Sequence, residues 1–503
     1  MFKEELQVAN LVTKKNYYRK LLKVVTIKAS STNFVDGENT IDKMLGTKSL
    51  VAISEINLVN DFLQIVGRVE SNTLFANVEK TLENSTSYTD FNEKIQVPKA
   101  EQYFVYPIVK NSKNTKISAN SFDLDINIEL NIYGVVANEL NCMLPNNEGF
   151  FEEKKEIQID ALLGCTNDSI SLVDTLEINE QLNKILVNEA EVVVNKITPN
   201  NSYVVIDGEI KRNIVYTSGE QIRKINKTFD FSEEVSLLNC TPESKINNIV
   251  YLKRNNINIK TDENNKTEFE FDSALSVNLV ALVEEKFDAV TDIFSETKNL
   301  NISTDCTEVY KLIDKKSFVD RLSLVLDTSN HKRIDEVVCA YDTFVAVEQA
   351  NVENNLLNIY GTMQTSLIYK NYDNEEYFST TMTAPVSFQR GLDPNINVSV
   401  EDVFVNVNLV GIKNKAGKEL NLSLDADIYY TEHQTNLECY VAGIEETGEK
   451  QKDTHSIVVL MPEENKSLFD IAKDLNVAPE IILAQNPGFD GKKTEKVIIY
   501  RKL

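Results

Sequence analysis

Two landmarks recur together three times along the 503 residues, at a spacing of about 140 to 155 positions. A chain that repeats itself at that interval has to build its core from copies of one unit. The first landmark is an isoleucine, any residue, a glycine, and an aromatic eight residues after the glycine. Its copies are Ile65-Val66-Gly67 with Phe75, Ile206-Asp207-Gly208 with Tyr216, and Ile359-Tyr360-Gly361 with Tyr369. The second landmark begins 26 or 27 residues before each glycine: Ile41-Asp42-Lys43-Met44-Leu45, Leu182-Asn183-Lys184-Ile185-Leu186 and Ile334-Asp335-Glu336-Val337-Val338. With only 16 glycines in the chain, such agreement is not a matter of chance.

The length alone calls for about three or four domains, and the repeat supplies three: residues 1–150, 151–297 and 298–444. Each module is expected to open with a short helical turn, run through strands around its signature, and close on a long alternating strand. In the first module Phe122, Leu124, Ile126, Ile128, Leu130 and Ile132 alternate with polar residues, a period of two that puts all six on one face. Leu420, Leu422, Leu424, Ala426, Ile428 and Tyr430 are the counterpart in the third. In the second, Phe269, Phe271, Leu275, Val277 and Leu279 play the part before the pattern turns continuously apolar. The fold class is therefore mainly β with short helices, in antiparallel sheets with one buried face. Gly67, Gly208 and Gly361 are expected to mark a bulge or a close backbone approach in the same strand of each copy, a structural role. Asp90-Phe91-Asn92-Glu93 and Asp230-Phe231-Ser232-Glu233 echo one another past the first two glycines; the third module offers only Ser387-Phe388.

A formal charge of −25 argues against nucleic acid and anionic lipid as partners. The charged start Met1-Phe2-Lys3-Glu4-Glu5 is not that of a signal peptide, and no window of 18 uncharged apolar residues exists, so no membrane insertion and a cytoplasmic location are expected. Six scattered cysteines, Cys142, Cys165, Cys240, Cys306, Cys339 and Cys439, suggest reduced thiols. His331, His433 and His455 are far apart and read as surface or linker histidines, with no metal-binding spacing. No nucleophile or dinucleotide motif occurs, and the glycines of Gly488-Phe489-Asp490-Gly491-Lys492 are wrongly spaced for a phosphate loop. No catalytic residue, no metal and no cofactor are assigned, and the chain is expected not to be an enzyme. The local basic group Lys14, Lys15, Arg19, Lys20 and Lys23 reads first as a solvated face and second as a docking helix for an acidic partner.

From Glu445 to Thr454 nothing apolar is available to bury, which predicts a linker over 445–455. The piece that follows, 456–503, holds seven basic and seven acidic residues, so the net charge belongs to the repeats. Its pattern is strand, helix, helix, strand. Ser456-Ile457-Val458-Val459-Leu460 and Lys496-Val497-Ile498-Ile499-Tyr500 are the strands, Ser467 caps the first helix, and Pro479 opens the second, which stops at Asn486-Pro487-Gly488.

Residues 467–477 and 479–487 align without a gap along the two helices of the LysM domain, and the tail is identified as resembling that family. The resemblance implies a shallow groove for N-acetylglucosamine polymers between two loops, here Asn465, Lys466, Ser467 and Leu468 against Asn486, Pro487, Gly488 and Phe489. Where glycan-binding members have Gly-Asp-Thr, this chain has Asn465-Lys466-Ser467, without the glycine and the acceptor carboxylate, which favours a protein in the groove. The three modules in turn resemble the SPOCS domain of spore-coat-associated proteins, most closely from Leu182 to Glu233. Together the resemblances imply a non-catalytic adaptor of the spore coat, in the mother-cell cytoplasm at the forespore surface, docking through its LysM domain on a SpoIVA-like coat morphogenetic ATPase and meeting other coat proteins. The alternative is a protein of the cell or spore envelope that binds peptidoglycan or another N-acetylglucosamine polymer. Ile482 and Leu483 are expected in the core of the small domain, and Phe489 on its binding surface.

Overall fold

The computed structural model describes residues 11–35, 40–261, 266–373, 375–415, 419–451, 457–462, 466–489 and 496–500. The first module consists of β1 (Leu11–Phe34), β2 (Ile41–Val59), β3 (Phe62–Asn77), β4 (Leu82–Gln96), β5 (Gln102–Lys116) and β6 (Ser121–Met143). The second follows the same order: β7 (Phe151–Ile178), β8 (Lys184–Pro199), β9 (Tyr203–Ser218), β10 (Gln221–Ser236), β11 (Lys245–Thr261) and β12 (Thr267–Phe294). The third has β13 (Lys298–Asp327), β14 (Glu336–Glu353), β15 (Leu356–Asn371), β16 (Glu376–Gly391), β17 (Phe404–Lys415) and β18 (Glu419–Glu449). In every module these form two antiparallel three-stranded sheets. One has the order first, last, fifth (β1-β6-β5, β7-β12-β11, β13-β18-β17), and the other second, third, fourth (β2-β3-β4, β8-β9-β10, β14-β15-β16).

The alternating strands β6, β12 and β18 are the central strands of the first sheets, and their apolar faces are buried against the second sheets. The second module turns continuously apolar because Val277, Leu279 and Ala281 face its own core while Val280 and Leu282 face the neighbouring modules. The signature strands β3, β9 and β15 are central in the second sheets. Gly67, Gly208 and Gly361 do mark a close approach. A β-carbon there would lie 2.7, 2.5 and 2.4 Å from the carbonyl oxygens of Ala52, Val193 and Ala346. The bulge itself is on the partner strand, at Ile53/Glu55, Val194/Lys196 and Val347/Gln349, directly opposite the glycine in each copy. Phe91 and Phe231 pair with Gly67 and Gly208 and lay their rings over them, an aromatic cover for a residue without a side chain. In the third module Val386 takes that position, which accounts for the weaker echo there.

Among the described residues no helical turn opens a module; strands carry the second landmark, from Ile41 in the first copy, Lys184 in the second and Glu336 in the third. Ile41, Met44 and Leu45 have the helical i, i+3, i+4 spacing, as do Leu182, Ile185, Leu186 and Ile334, Val337, Val338. A β-bulge produces it. The register slips at Met44/Gly46, Ile185/Val187 and Val337/Cys339, so that one extra residue is inserted in each copy. That extra residue, Leu45, Leu186 or Val338, is turned away from its own sheet and is buried with the other two. Leu74, Val215 and Ile368, at one equivalent position of the signature strands, complete the cluster. The second landmark is thus where three modules meet about a common axis.

Farther along that axis the first and last strands of each module bulge again, at Leu22, Leu163 and Ile313, and continue as two-stranded ribbons. The three ribbons pack on one another through Leu140 and Cys142, Ile157, Ile159 and Ala289, and Val309 and Tyr440. Where they separate, polar groups join the modules. Arg19 donates to Asp402 over 2.8 Å and to the carbonyl of Asn248 over 3.1 Å, with its guanidinium 5.2 Å from the Tyr133 ring centroid. Asn16 and the backbone of Tyr310 exchange two hydrogen bonds of 2.8 Å. The basic group of the N-terminal region is accordingly neither a helix nor wholly solvated: it lies in β1, where Lys14 reaches Glu285 at 2.6 Å and Arg19 is buried.

Three further expectations are corrected. His433 is buried, stacked on Tyr310 with ring centroids 4.4 Å apart, and burial lowers its pKa; His455 lies outside the described residues. Cys306 and Cys439, 133 positions apart, are brought opposite one another by the register of β13 and β18 and form a disulfide, so only the other four cysteines are thiols. Glu445, Glu446 and Glu449 belong to β18, paired with Asn301, Leu300 and Lys298, and the connection starts after them. An acidic stretch suits such a ribbon because its side chains stand in water, where Glu446 meets Lys298 at 2.7 Å.

Candidate functional site

The C-terminal unit has the expected order: β19 (Ile457–Leu460), α1 (Leu468–Leu475), α2 (Pro479–Gln485) and β20 (Val497–Tyr500). Ser467 starts α1 with a capping box, its hydroxyl accepting from the Asp470 amide while the Asp470 carboxylate accepts from the Ser467 amide. Asn476, in the left-handed region at φ 54°, ends it. Pro479 opens α2. Ile471, Ala472, Leu475, Val477, Ile482, Val497 and Ile499 form the core.

The structure separates the expected groove residues by role. Asn465 lies outside the described residues. Lys466 is held by Asp474 at 2.5 Å, and Leu468 packs on the core. The Asn486 side chain donates to the carbonyls of Ile482 and Ile498 and accepts from the Ile498 amide, so it fastens α2 to β20. Pro487 and Gly488 are exposed. Phe489 is buried with the core, which removes it from a binding surface. Leu483, by contrast, is exposed and Ile482 fully buried. Ile482→Ala is therefore expected to cost the unit about 2 to 5 kcal/mol and Leu483→Ala less than about 0.5 kcal/mol; urea denaturation followed by a probe in the C-terminal unit distinguishes the two.

The two-stranded sheet holds a surface that the loop-based reading missed. Val458 and Leu460 pack inward, opposite Ile499 and Val497. On the other face Ile457 pairs with Tyr500 and Val459 with Ile498; Ile457, Val459 and Tyr500 are 54, 51 and 59% exposed, and the neighbouring Met461 65%. The signal is present in the sequence: strands apolar at every position are ordinarily covered on both faces, and 48 residues supply only one cover.

The unit is seated on the end of the second ribbon. Phe294 lies between Phe151 and Phe469, with centroids 5.1 and 5.3 Å away. Lys473 meets both oxygens of Asp292, at 2.7 and 2.5 Å. Glu296 accepts from the Asn476 side chain through its carbonyl and from the Ala478 amide through its carboxylate. Lys450 donates to the Ser295 carbonyl and the Asn476 side chain. Burial, followed by the nearby Asp470 and Asp292, raises the pKa of Glu153 at this junction, and burial lowers that of Lys450. The apolar face of the sheet is left open by this seating.

Among the described residues no helix is long and apolar enough to cross a membrane, and no group of three or more His, Cys, Asp or Glu is placed to hold a metal ion. The architecture thus defines a class: a β protein of three fused modules bearing one small βααβ unit with an open apolar face. Residues 181–260 match the family model of the SipL SPOCS domain. The match runs from the second landmark of the middle module through β8, β9 and β10 into β11, so the likeness to a SPOCS domain lies in the middle module. Such a domain suggests a sporulation-related role in protein interaction. No curated protein and no solved structure matches the chain.

Proposed function

We propose that the protein is a non-catalytic adaptor in spore-coat morphogenesis, resembling the clostridial SpoIVA-interacting protein L, which docks on a SpoIVA-like coat ATPase at the forespore surface of the mother cell. The C-terminal unit, read as a LysM domain, makes the contact, and the three SPOCS modules are its rigid support. One observation carries this reading: the unit is fixed to the ribbon by one side while Ile457, Val459, Met461 and Tyr500 stay exposed on another. A contiguous apolar face of that kind is a mark of protein–protein contact, and Tyr is a residue type enriched at the centre of such interfaces.

The test is capture by the full chain of a purified SpoIVA-like ATPase and, separately, of purified peptidoglycan. Val459→Asp is expected to weaken ATPase capture at least about 10-fold, the loss of one central contact, without changing the melting of the modules. Retention by peptidoglycan alone would overturn the proposal. So would undiminished ATPase capture by Val459→Asp and Tyr500→Ser together.

A further inference from the structure

Between the three modules, on the opposite side of the polar junction from the ribbons, lies a cavity of about 670 Å³ that opens to solvent. It is walled by β2 and β5 of the first module, β8 and β11 of the second, and β14 and β17 of the third. The volume is that of a small-molecule site, which typically spans roughly 300–1,000 Å³. Part of its wall is aromatic: Tyr106 meets Tyr251 and Phe404 edge to face, at centroid distances of 5.5 and 5.2 Å.

The wall is also acidic, and its acids are unevenly matched. Lys110 already faces Glu129 at 3.3 Å, and Lys48 stands between Glu189 and Asp342 at 3.9 and 3.8 Å. Glu191, beside Tyr106 on the same wall, has no hydrogen-bond or ion-pair partner among the described residues. Lys211, whose charge also acts on Glu191, is occupied by Asp427 at 2.7 Å and Glu209 at 3.5 Å. Burial pushes the Glu191 carboxyl up to about 7, with Asp427 and Glu189 adding to the effect and Lys211 and Lys48 opposing it. Half-buried on the cavity wall, this carboxylate is partly stripped of water without a direct counter-charge, and an aromatic face beside it favours a cation. No cluster of three metal-ligating side chains accompanies Glu191 among the described residues. The chemistry is that of an organic ammonium.

We propose that the cavity binds a small organic amine, its ammonium ion-paired with Glu191 and its apolar body against Tyr106, Tyr251 and Phe404. The three modules form the site jointly: Tyr106 comes from the first, Glu191 and Tyr251 from the second, and Phe404 from the third.

The experiment is calorimetric titration of the full chain with 2-phenylethylamine, using 2-phenylethanol as the neutral analogue. Physiological salt suppresses loose attraction to a chain of formal charge −25. Saturable one-to-one binding of the amine is expected, with none of the alcohol. Glu191→Gln should weaken it about 30-fold or more, the fold-change for removing one partner of an enclosed charge pair. Glu308→Gln, on an exposed ribbon position, should leave it unchanged. The site is refuted by absence of saturable binding, by equal binding of the alcohol, or by full affinity in Glu191→Gln. Because the comparison of amine with alcohol uses the natural chain, it decides the matter even if Glu191→Gln does not fold.

Discussion

Gly208→Val is expected to destabilise the second module by about 3 kcal/mol or more, the upper end of what forced overpacking costs. The added β-carbon alone would sit 2.5 Å from the Val193 carbonyl oxygen and 2.6 Å from the Phe231 ring, and the first of these belongs to backbone. To relieve it, β8 has to move away from β9, and Leu186, carried by the same strand, then leaves the contact with Leu45 and Val338. The damage should therefore spread to the other modules. Gly391→Ala, at a position where a β-carbon meets nothing within 4 Å, should change stability by less than about 0.5 kcal/mol. Urea unfolding of both variants checks this: equal midpoints would mean that the signature glycine is dispensable and the bulge opposite it is yielding.

The second large effect concerns Arg19. Its side chain is 1% exposed and that of Asp402 9%, so the pair is held almost entirely out of water. Truncating one partner strands a buried charge, which costs about 3 to 5 kcal/mol, whereas replacing both by apolar residues of similar volume is often close to neutral. Arg19→Met alone is therefore expected to lower the denaturation midpoint strongly, and Arg19→Met with Asp402→Leu to recover most of the loss. Recovery will be incomplete because Arg19 also satisfies the Asn248 carbonyl and covers Tyr133. If the single and double variants melted alike, the ion pair would not be what joins the modules.

Much of this architecture is legible in the sequence because a strand with one buried face writes a period of two. Phe122 to Ile132 and Leu420 to Tyr430 do so without interruption, and both are central strands. The landmarks recur at corresponding places of the three modules, but their spacing says nothing of the six strands that each contains. The bulges of the second landmark are not legible. An inserted residue turns a period of two into the i, i+3, i+4 pattern of a helix, so Ile41-Asp42-Lys43-Met44-Leu45 signals the wrong element while marking the right place. Long-range pairing leaves no local trace either: nothing near Arg19 points to Asp402, and nothing near Cys306 points to Cys439. In the C-terminal unit the helix boundaries follow from Ser467 and Pro479, whose chemistry is local. Leu483 is exposed where a core place is expected because α2, seven residues long, is too short for a periodicity to assign its faces, and Phe489 lies in the loop beyond α2, where no periodicity applies.

In every module the first strand pairs with the last, so β1 has to wait for β6, β7 for β12 and β13 for β18. Arg19 waits longer still, since Asp402 lies 383 positions later. At roughly 5–20 residues per second of synthesis, that interval is roughly 20 to 80 s. During this time the nascent chain carries long strands with free edges, the element most prone to pairing with a neighbouring molecule. A protein closed by its own last module is therefore most exposed to misassembly while it is still on the ribosome, and a chain stopped before residue 402 would keep that exposure permanently.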